Sequence, residues 1–110
     1  MHCHFSIVDY DGRNVFDDSS TNASTALFNA FAGSLAAMAD SSLIFAPFDD
    51  SCERLVPYAH APTTISWGCD NRTTVIRIPS GAPIARRIEH RVVGDAANPY
   101  LLLAAMLGAA

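Results

Sequence analysis

The sequence contains no lysine, so each of its seven basic side chains is an arginine. Eleven acidic residues outnumber them, and the formal net charge is −4. An acidic chain repels a phosphodiester backbone, which excludes general nucleic-acid binding as a first hypothesis. The arginines nevertheless cluster, because five of the seven lie between Arg72 and Arg91. Such a cluster suits a smaller anion, since guanidinium groups pair bidentately with carboxylates and phosphates.

Long apolar runs are also missing. The longest, at 101–107, is far shorter than the roughly 20 residues that a bilayer-spanning helix needs. The chain begins with Met-His-Cys-His and not with the basic and apolar regions of a signal peptide. Its three cysteines are scattered and odd in number, which does not indicate a disulfide framework. These features predict a cytoplasmic protein that binds neither membranes nor nucleic acid.

The length and composition predict one modest globular unit. With 110 residues, 50% of them hydrophobic and 16% charged, the chain is too apolar for a disordered protein. A strand-like segment follows Met1 at once, and the sequence stops within the apolar run LLLAAMLGAA. Natural domains usually end in polar residues. We therefore expect a fragment of a longer chain, with a compact protein that buries its termini as the alternative.

Local patterns predict where strands and helices lie. Strands are indicated by alternation of apolar and polar residues between turn signals. Ser24 is a suitable N-cap, and apolar residues recur behind it at helical spacing. Asn98-Pro99 is typical of a helix start, where proline's missing N–H is harmless. Loop 48–62 is rich in proline and long enough to be functional. The expected strands are 2–8, 63–68, 73–79 and 86–93, and the expected helices are 24–40, 43–45 and the segment from 99 onward.

Charged residues alternate on the predicted strand 86–93. Because residues two apart share a face, Arg87, Glu89 and Arg91 project together, with one carboxylate between two guanidiniums. This trio could be a surface ion-pair ladder. The density of nearby arginines favours a bound anion instead, because unpaired guanidiniums repel each other. An imidazole and a glutamate on such faces could hold Mg²⁺ or Mn²⁺, which permits polyphosphate chemistry without requiring it.

Four segments together identify a family. They are MHCHFS (1–6), NRTTVIRIP (71–79), ARRIEHR (85–91) and NPYLLLAA (98–105). In this order and spacing they resemble the C-terminal catalytic portion of glutamine synthetases and of the related glutamate–amine ligases. The resemblance covers essentially the whole chain.

The resemblance implies an α+β fold in which a curved, mainly antiparallel sheet lines the active-site cavity and helices pack outside it. Residues 1–110 would form the C-terminal portion of such a catalytic domain, incomplete at both ends. The family's N-terminal β-grasp domain and the upstream strand that carries most metal-binding glutamates would be absent. We therefore predict that these residues alone have no ligase activity. Full-length relatives form homo-oligomers.

The resemblance also implies roles for individual residues. The metal ligands would be His2 and Glu89, which hold the Mg²⁺ (or Mn²⁺) that touches the phosphates of ATP. The residues that contact ATP would be His4, Ser6, Arg72, Arg77 and Arg87. The residues that contact glutamate would be Arg54, Arg72 and Arg91. Arg72, near both the transferred phosphoryl group and glutamate, is one expected catalytic residue. None of the cysteines is needed as a nucleophile, and Cys3 is expected to be packed.

The sequence departs from the family pattern where the amine would bind. His60 stands where ammonia-using members carry a glutamate, and a histidine attracts a small cation less strongly. It could still act as the base for an alkylamine, or it could simply cap its loop. Residues 50–53 add two acids before Arg54, and Ile84 replaces a basic residue that would contact the nucleotide.

These departures favour an ATP-dependent ligase that joins the γ-carboxylate of glutamate to an amine such as putrescine, through γ-glutamyl phosphate. A glutamine synthetase proper, which uses ammonia, is the first alternative. A non-catalytic fragment or anion-binding module is the second.

Overall fold

The computed structural model describes residues 1–18, 23–57, 59 and 61–110. Within these residues the strands are β1 (Cys3–Phe5), β2 (Thr64–Cys69), β3 (Thr74–Ile78) and β4 (Ile88–His90). The α-helices are α1 (Thr25–Ala36), α2 (Ser42–Phe45) and α3 (Pro99–Ala109), and short 3₁₀ helices occupy Asp49–Cys52 and Pro83–Ala85. The expected α+β class is confirmed.

The four strands form one sheet in the order β1-β4-β3-β2. Strand β4 runs antiparallel to both β1 and β3, whereas β2 runs parallel to β3. Two of the three pairings are therefore antiparallel, in agreement with the expected mainly antiparallel sheet. The register sets His4 opposite Glu89, and Glu89 opposite Arg77.

Helix α1 begins where the sequence predicts. The Ser24 hydroxyl oxygen accepts a hydrogen bond from the Leu27 N–H at 3.1 Å, as an N-cap does. The helix ends at Ala36 and not near Asp40. Its end is tightened, because the Met38 N–H donates to the carbonyl of Leu35, three residues back.

Two strands are shorter than predicted. Strand β1 ends at Phe5 because the following chain pairs locally: the Val15 N–H donates to the Ile7 carbonyl at 2.9 Å, and Val8 bridges Asn14. Strand β4 begins only at Ile88 because the 3₁₀ helix Pro83–Ala85 occupies the chain before it. In both cases, backbone groups that the alternating pattern predicts to pair within the sheet form hydrogen bonds in a local turn instead.

The core lies between one face of the sheet and the helices. Ile76 and Ile88 from the sheet are fully buried, as is Leu27 of α1, and Leu102 of α3 is 3% exposed. Each such side chain stabilises the fold by roughly 1.5–3 kcal/mol. Cys3 packs against this cluster, as expected. Among the described residues, no helix is both long enough and apolar enough to cross a membrane.

Candidate functional site

The sheet register brings three predicted site residues into one row. His4 on β1, Glu89 on β4 and Arg77 on β3 are direct neighbours across the strands, so their side chains share a face. The adjacent row, Cys3, His90 and Ile76, points to the opposite, core-facing side. Alternation on β4 thus separates a polar face from an apolar one, as the sequence predicted. We call the first set, His4, Glu89 and Arg77, the site row.

Glu89 is the centre of the site row. It is only 3% exposed, and its Oε2 accepts a hydrogen bond from Arg77 Nη1 at 2.7 Å. Its Oε1 lies 3.0 Å from His2 Nδ1, 3.4 Å from Arg91 Nε and 4.0 Å from His4 Nε2. Burial works to raise the pKa of the Glu89 carboxyl. The hydrogen bond and charge of Arg77, with the charge of Arg91, outweigh burial and lower the pKa, so Glu89 is ionised at neutral pH.

The buried position of this charge cluster decides one question that the sequence left open. Arg91 is 2% exposed and Glu89 is 3% exposed. A solvated surface ladder is therefore excluded, because exposed pairs of that kind remain in water. Burying charged groups is costly unless they are well paired. Clusters of buried charged groups are typical of functional sites.

His2 and Glu89 together can offer a cation one nitrogen and one carboxylate. Burial and the nearby Arg91 charge lower the pKa of His2, although Glu89 acts in the opposite direction. The imidazole is therefore neutral at pH 7, as metal binding requires. No group of three or more His, Cys, Asp or Glu side chains suited to a metal occurs within residues 1–18, 23–57, 59 and 61–110. The two residues fit a divalent cation as part of its ligand set.

A pocket of about 270 Å³ opens on the site row. It is lined by His2, Arg72, Arg77, Glu89 and Arg91. The buried Arg91 side chain donates through Nη1 to the backbone carbonyl of Arg72, which fixes the turn that carries the exposed Arg72 side chain. Three guanidiniums face one carboxylate in this pocket, so it has an excess of positive charge and favours an anionic ligand.

Three other predicted ATP contacts, His4, Ser6 and Arg87, are not part of the pocket lining. Arg87 Nε donates to His4 Nδ1 at 3.3 Å, and Arg87 Nη1 donates to the Ala85 carbonyl at 3.2 Å. Arg87 therefore holds His4 at the β1 edge of the site row. Ser6 is exposed just beyond β1.

The residues predicted for glutamate and for the amine are less closely assembled. Arg54 is half-buried and donates through Nη2 to the Val92 carbonyl, and it is not part of the lining of the 270 Å³ pocket. His60 lies outside the described residues. Ile84, in place of a basic residue, has an exposed side chain. The substrate and catalytic roles of Arg54, Arg72, Arg91 and His60 stay predictions.

One residue of the site was missed from the sequence. Asp70 Oδ1 accepts hydrogen bonds from Arg77 Nη2 at 2.9 Å and from the Ser80 N–H at 3.0 Å. The bonds from Ser80, followed by that from Arg77, lower the pKa of Asp70 to about 2. Asp-Asn in a turn signals a left-handed residue, but nothing in the spacing shows which side chain it meets.

His90, next to Glu89, belongs to the opposite face. Its ring lies 4.4 Å from the ring of Phe45, and it is 1% exposed. Within the described part of the chain, neither ring nitrogen has a hydrogen-bond partner. Burial lowers the pKa of His90 to about 4, so the ring is neutral at physiological pH. His90 is a core residue and not a member of the site.

Comparison with known proteins identifies the family of the chain. The family model for the glutamine synthetase catalytic domain matches residues 1–110. A γ-glutamylputrescine synthetase of Escherichia coli is 41% identical over 96% of the chain. A γ-glutamylethanolamide synthetase of Streptomyces coelicolor is 38% identical over 98% of the chain, and a glutamine synthetase of Halobacterium salinarum is 38% identical over 99%.

The chain belongs to the glutamine synthetase family, and its residues match the catalytic domain. This confirms the family predicted from the four sequence segments. The chain spans between 22% and 24% of the length of these three relatives.

Proposed function

We propose that residues 1–110 are the C-terminal portion of the catalytic domain of an ATP-dependent ligase that joins the γ-carboxylate of glutamate to an amine. The observation that carries the proposal is the buried Glu89 carboxylate, surrounded by His2, His4, Arg77 and Arg91 beside the arginine-lined pocket of about 270 Å³. Members of the family are glutamate ligases that generally use ATP and divalent metal ions. Because the chain spans about a quarter of its relatives' length, the β-grasp domain and the remaining metal ligands would lie elsewhere in the full-length protein.

The site row would bind the polyphosphate of ATP. His2 and Glu89 would hold the Mg²⁺ (or Mn²⁺), and the bound cation neutralises charge on the phosphate oxygens. Arg77 and Arg87 would donate hydrogen bonds to the phosphates, and His4 and Ser6 would make further contacts with ATP. Because Arg77 is already held by two carboxylates, it is oriented before ATP arrives, which favours electrostatic stabilisation of the transferred group.

The first step transfers the γ-phosphoryl group of ATP to the γ-carboxylate of glutamate. A carboxylate oxygen forms the new P–O bond while the bond to the ADP oxygen breaks, which yields γ-glutamyl phosphate and ADP. Arg72 and Arg91 offer fixed positive charge at the pocket wall, where negative charge accumulates during the transfer. Arg54 would hold the glutamate from the neighbouring loop.

The second step forms the amide. The amine nitrogen attacks the γ-carbonyl carbon, inorganic phosphate leaves, and the nitrogen gives up a proton to a base. His60 is the proposed base for an alkylamine, because it stands where ammonia-using relatives carry a glutamate. We propose putrescine or a similar amine as the acceptor on the basis of this departure and of the resemblance to the γ-glutamylputrescine synthetase.

Ammonia is the second candidate acceptor. Several relatives at 36–41% identity are named glutamine synthetases, and identity over this short region does not choose between the two substrates. We further propose that the full-length protein is cytoplasmic, as its sequence features predict, and that it is a homo-oligomer, as the family resemblance implies.

Substrate choice can be measured directly on the full-length protein. Phosphate release from ATP would be followed with glutamate and, in turn, putrescine, ethanolamine, monoamines or ammonium. We expect putrescine or another amine to give the highest kcat/KM. Faster turnover with ammonium than with every amine would refute the amine assignment. No turnover with any acceptor would refute the ligase assignment itself.

The isolated 110 residues provide a second test. We expect them to release no phosphate, because they supply only part of one metal site and lack the rest of the catalytic domain. Turnover by this segment alone would contradict the assignment of the missing ligands to the remainder of the protein.

A further inference from the structure

The turn 70–73 brings a second carboxylate to Arg77. Asp70 Oδ1 accepts from Arg77 Nη2 at 2.9 Å, while Glu89 Oε2 accepts from Arg77 Nη1 at 2.7 Å. One guanidinium therefore bridges two carboxylates, one from the sheet and one from the turn. The Arg77 side chain is 19% exposed and is part of the pocket lining.

Asp70 occupies an unusual backbone conformation to make this contact. Its φ is +50°, a region that residues other than glycine seldom adopt, although aspartate tolerates it better than most. Its N–H donates to the Ile78 carbonyl at 3.1 Å, and its carboxylate accepts from the Ser80 N–H at 3.0 Å. These bonds tie Asp70, whose side chain is 44% exposed, to the end of β3 and give its carboxylate a defined position.

The bond from Arg77 to Asp70 matters because the Glu89 carboxylate has partners other than Arg77. Glu89 also lies within 3.0 Å of His2 and 3.4 Å of Arg91, so its carboxylate serves several cationic or metal-binding partners at once. An arginine held at a single nitrogen can pivot about that bond, whereas bonds at both Nη atoms define the orientation of the planar guanidinium.

We propose that Asp70 is a positioning residue that orients the Arg77 guanidinium toward the phosphates of ATP. The inference rests on the proposed function, which assigns Arg77 to those phosphates. Asp70 is not part of the pocket lining, and it hydrogen-bonds Arg77, which is. Its effect should therefore be specific to the nucleotide and absent when Arg77 is absent.

Two substitutions in the full-length protein separate the carboxylate from the backbone conformation. Asp70→Gly removes the carboxylate but adopts a positive φ without strain. Asp70→Asn keeps an oxygen acceptor for Arg77 and Ser80 and also tolerates this φ. Asp11→Asn, in the exposed turn near Gly12, is the matched control for loss of one negative charge.

We expect Asp70→Gly to raise the KM for ATP and the Kd for ATP about tenfold, the size of one lost charge-assisted hydrogen bond. Asp70→Asn should raise both by no more than about threefold, since it retains a weaker bond. The KM for glutamate should not change in either variant, and Asp11→Asn should match the wild type. In an Arg77→Ala background, Asp70→Gly should cause no further loss, as a double-mutant cycle would show.

The outcomes distinguish the inference from the function on which it rests. If Asp70→Gly binds ATP as tightly as the wild type, Asp70 does not position Arg77, and the proposed function stands. Equal increases in both KM values with a lowered melting temperature, or a further loss in the Arg77→Ala background, would assign Asp70 a purely structural role and overturn the inference. A wild-type protein that binds no ATP would overturn the proposed function and the inference together.

Discussion

Glu89 and His90 are consecutive residues on β4, and both side chains are almost completely buried, at 3% and 1% exposure. Glu89 points into the site row, where the hydrogen bond and charge of Arg77 outweigh burial and lower its pKa. His90 points into the core against Phe45, where burial alone lowers its pKa to about 4. Burial by itself thus does not determine whether a group is charged; the partners that the neighbouring strands supply decide it.

The largest expected effect on activity comes from neutralising Glu89, the charged residue of the Glu89–His90 pair. Glu89→Gln keeps the side-chain shape but removes the carboxylate between Arg77 and Arg91, so that only Asp70 still pairs with Arg77. We expect ATP-dependent turnover of the full-length protein to fall at least about 100-fold, as when a preorganised charged group is removed from an active site. Steady-state phosphate release measures it. His90→Leu is the matched control on the adjacent residue. Its turnover at pH 7 should stay within about threefold of the wild type, because a substitution in the core changes the free energy of unfolding and not the groups that contact the substrates.

A comparison of two arginines extends the test to stability. Arg91 is buried beside Glu89, whereas Arg72 in the same pocket is exposed. Arg91→Met should lower the free energy of unfolding by about 3 kcal/mol, because it leaves a buried carboxylate with one partner fewer. Arg72→Met should lower it by less than about 0.5 kcal/mol. Denaturant titration of both variants measures the difference, and equal losses would mean that burial of the Arg91–Glu89 pair has no energetic consequence.

The buried, neutral ring of His90 predicts that the stability of the protein depends on pH. An unfolded histidine has a pKa near 6.5, and burial lowers the pKa of folded His90 to about 4. The unfolded state therefore binds the proton more readily, so this contribution is complete above pH 6.5 and is lost as the pH falls toward 4. It amounts to at most about 3 kcal/mol. In His90→Leu this component should disappear, which the melting temperatures of both proteins between pH 7 and pH 4 would reveal; identical curves would contradict the neutral, buried state.

The smallest effect is expected from the helix that covers the core face. Ser24→Ala removes the side-chain acceptor for the Leu27 N–H and should cost about 1 kcal/mol of stability. Because α1 packs on the face opposite to the site row, the KM values for ATP and glutamate should not change. A changed KM would show that the two faces are coupled more tightly than the geometry indicates.

The two faces were predictable from the sequence for different reasons. Alternation alone placed Glu89 and Arg91 on one side of the predicted strand 86–93 and His90 on the other, because a strand has a fixed two-residue period. The family segments supplied the rest of the site row. Which residues lie opposite Glu89 depends on strand register and order, which no local pattern encodes.

The errors have an equally local origin. The strand expected at 2–8 ends at Phe5 because the Val15 N–H pairs with the Ile7 carbonyl, a competing turn that alternation does not detect. Asp70 was overlooked because its importance comes from a left-handed turn residue that meets Arg77 seven positions later. Distance in the chain gave no indication of that contact.

We propose that the polar face of β4, and not its core face, binds the cation and nucleotide. Titration of Mn²⁺ in the presence of ATP into the full-length protein, followed by calorimetry, tests it on two adjacent residues. We expect His90→Leu to bind like the wild type and Glu89→Gln to bind at least about tenfold more weakly, because a metal ligand or its support is lost. Wild-type affinity in Glu89→Gln, or an equal loss in His90→Leu, would contradict it.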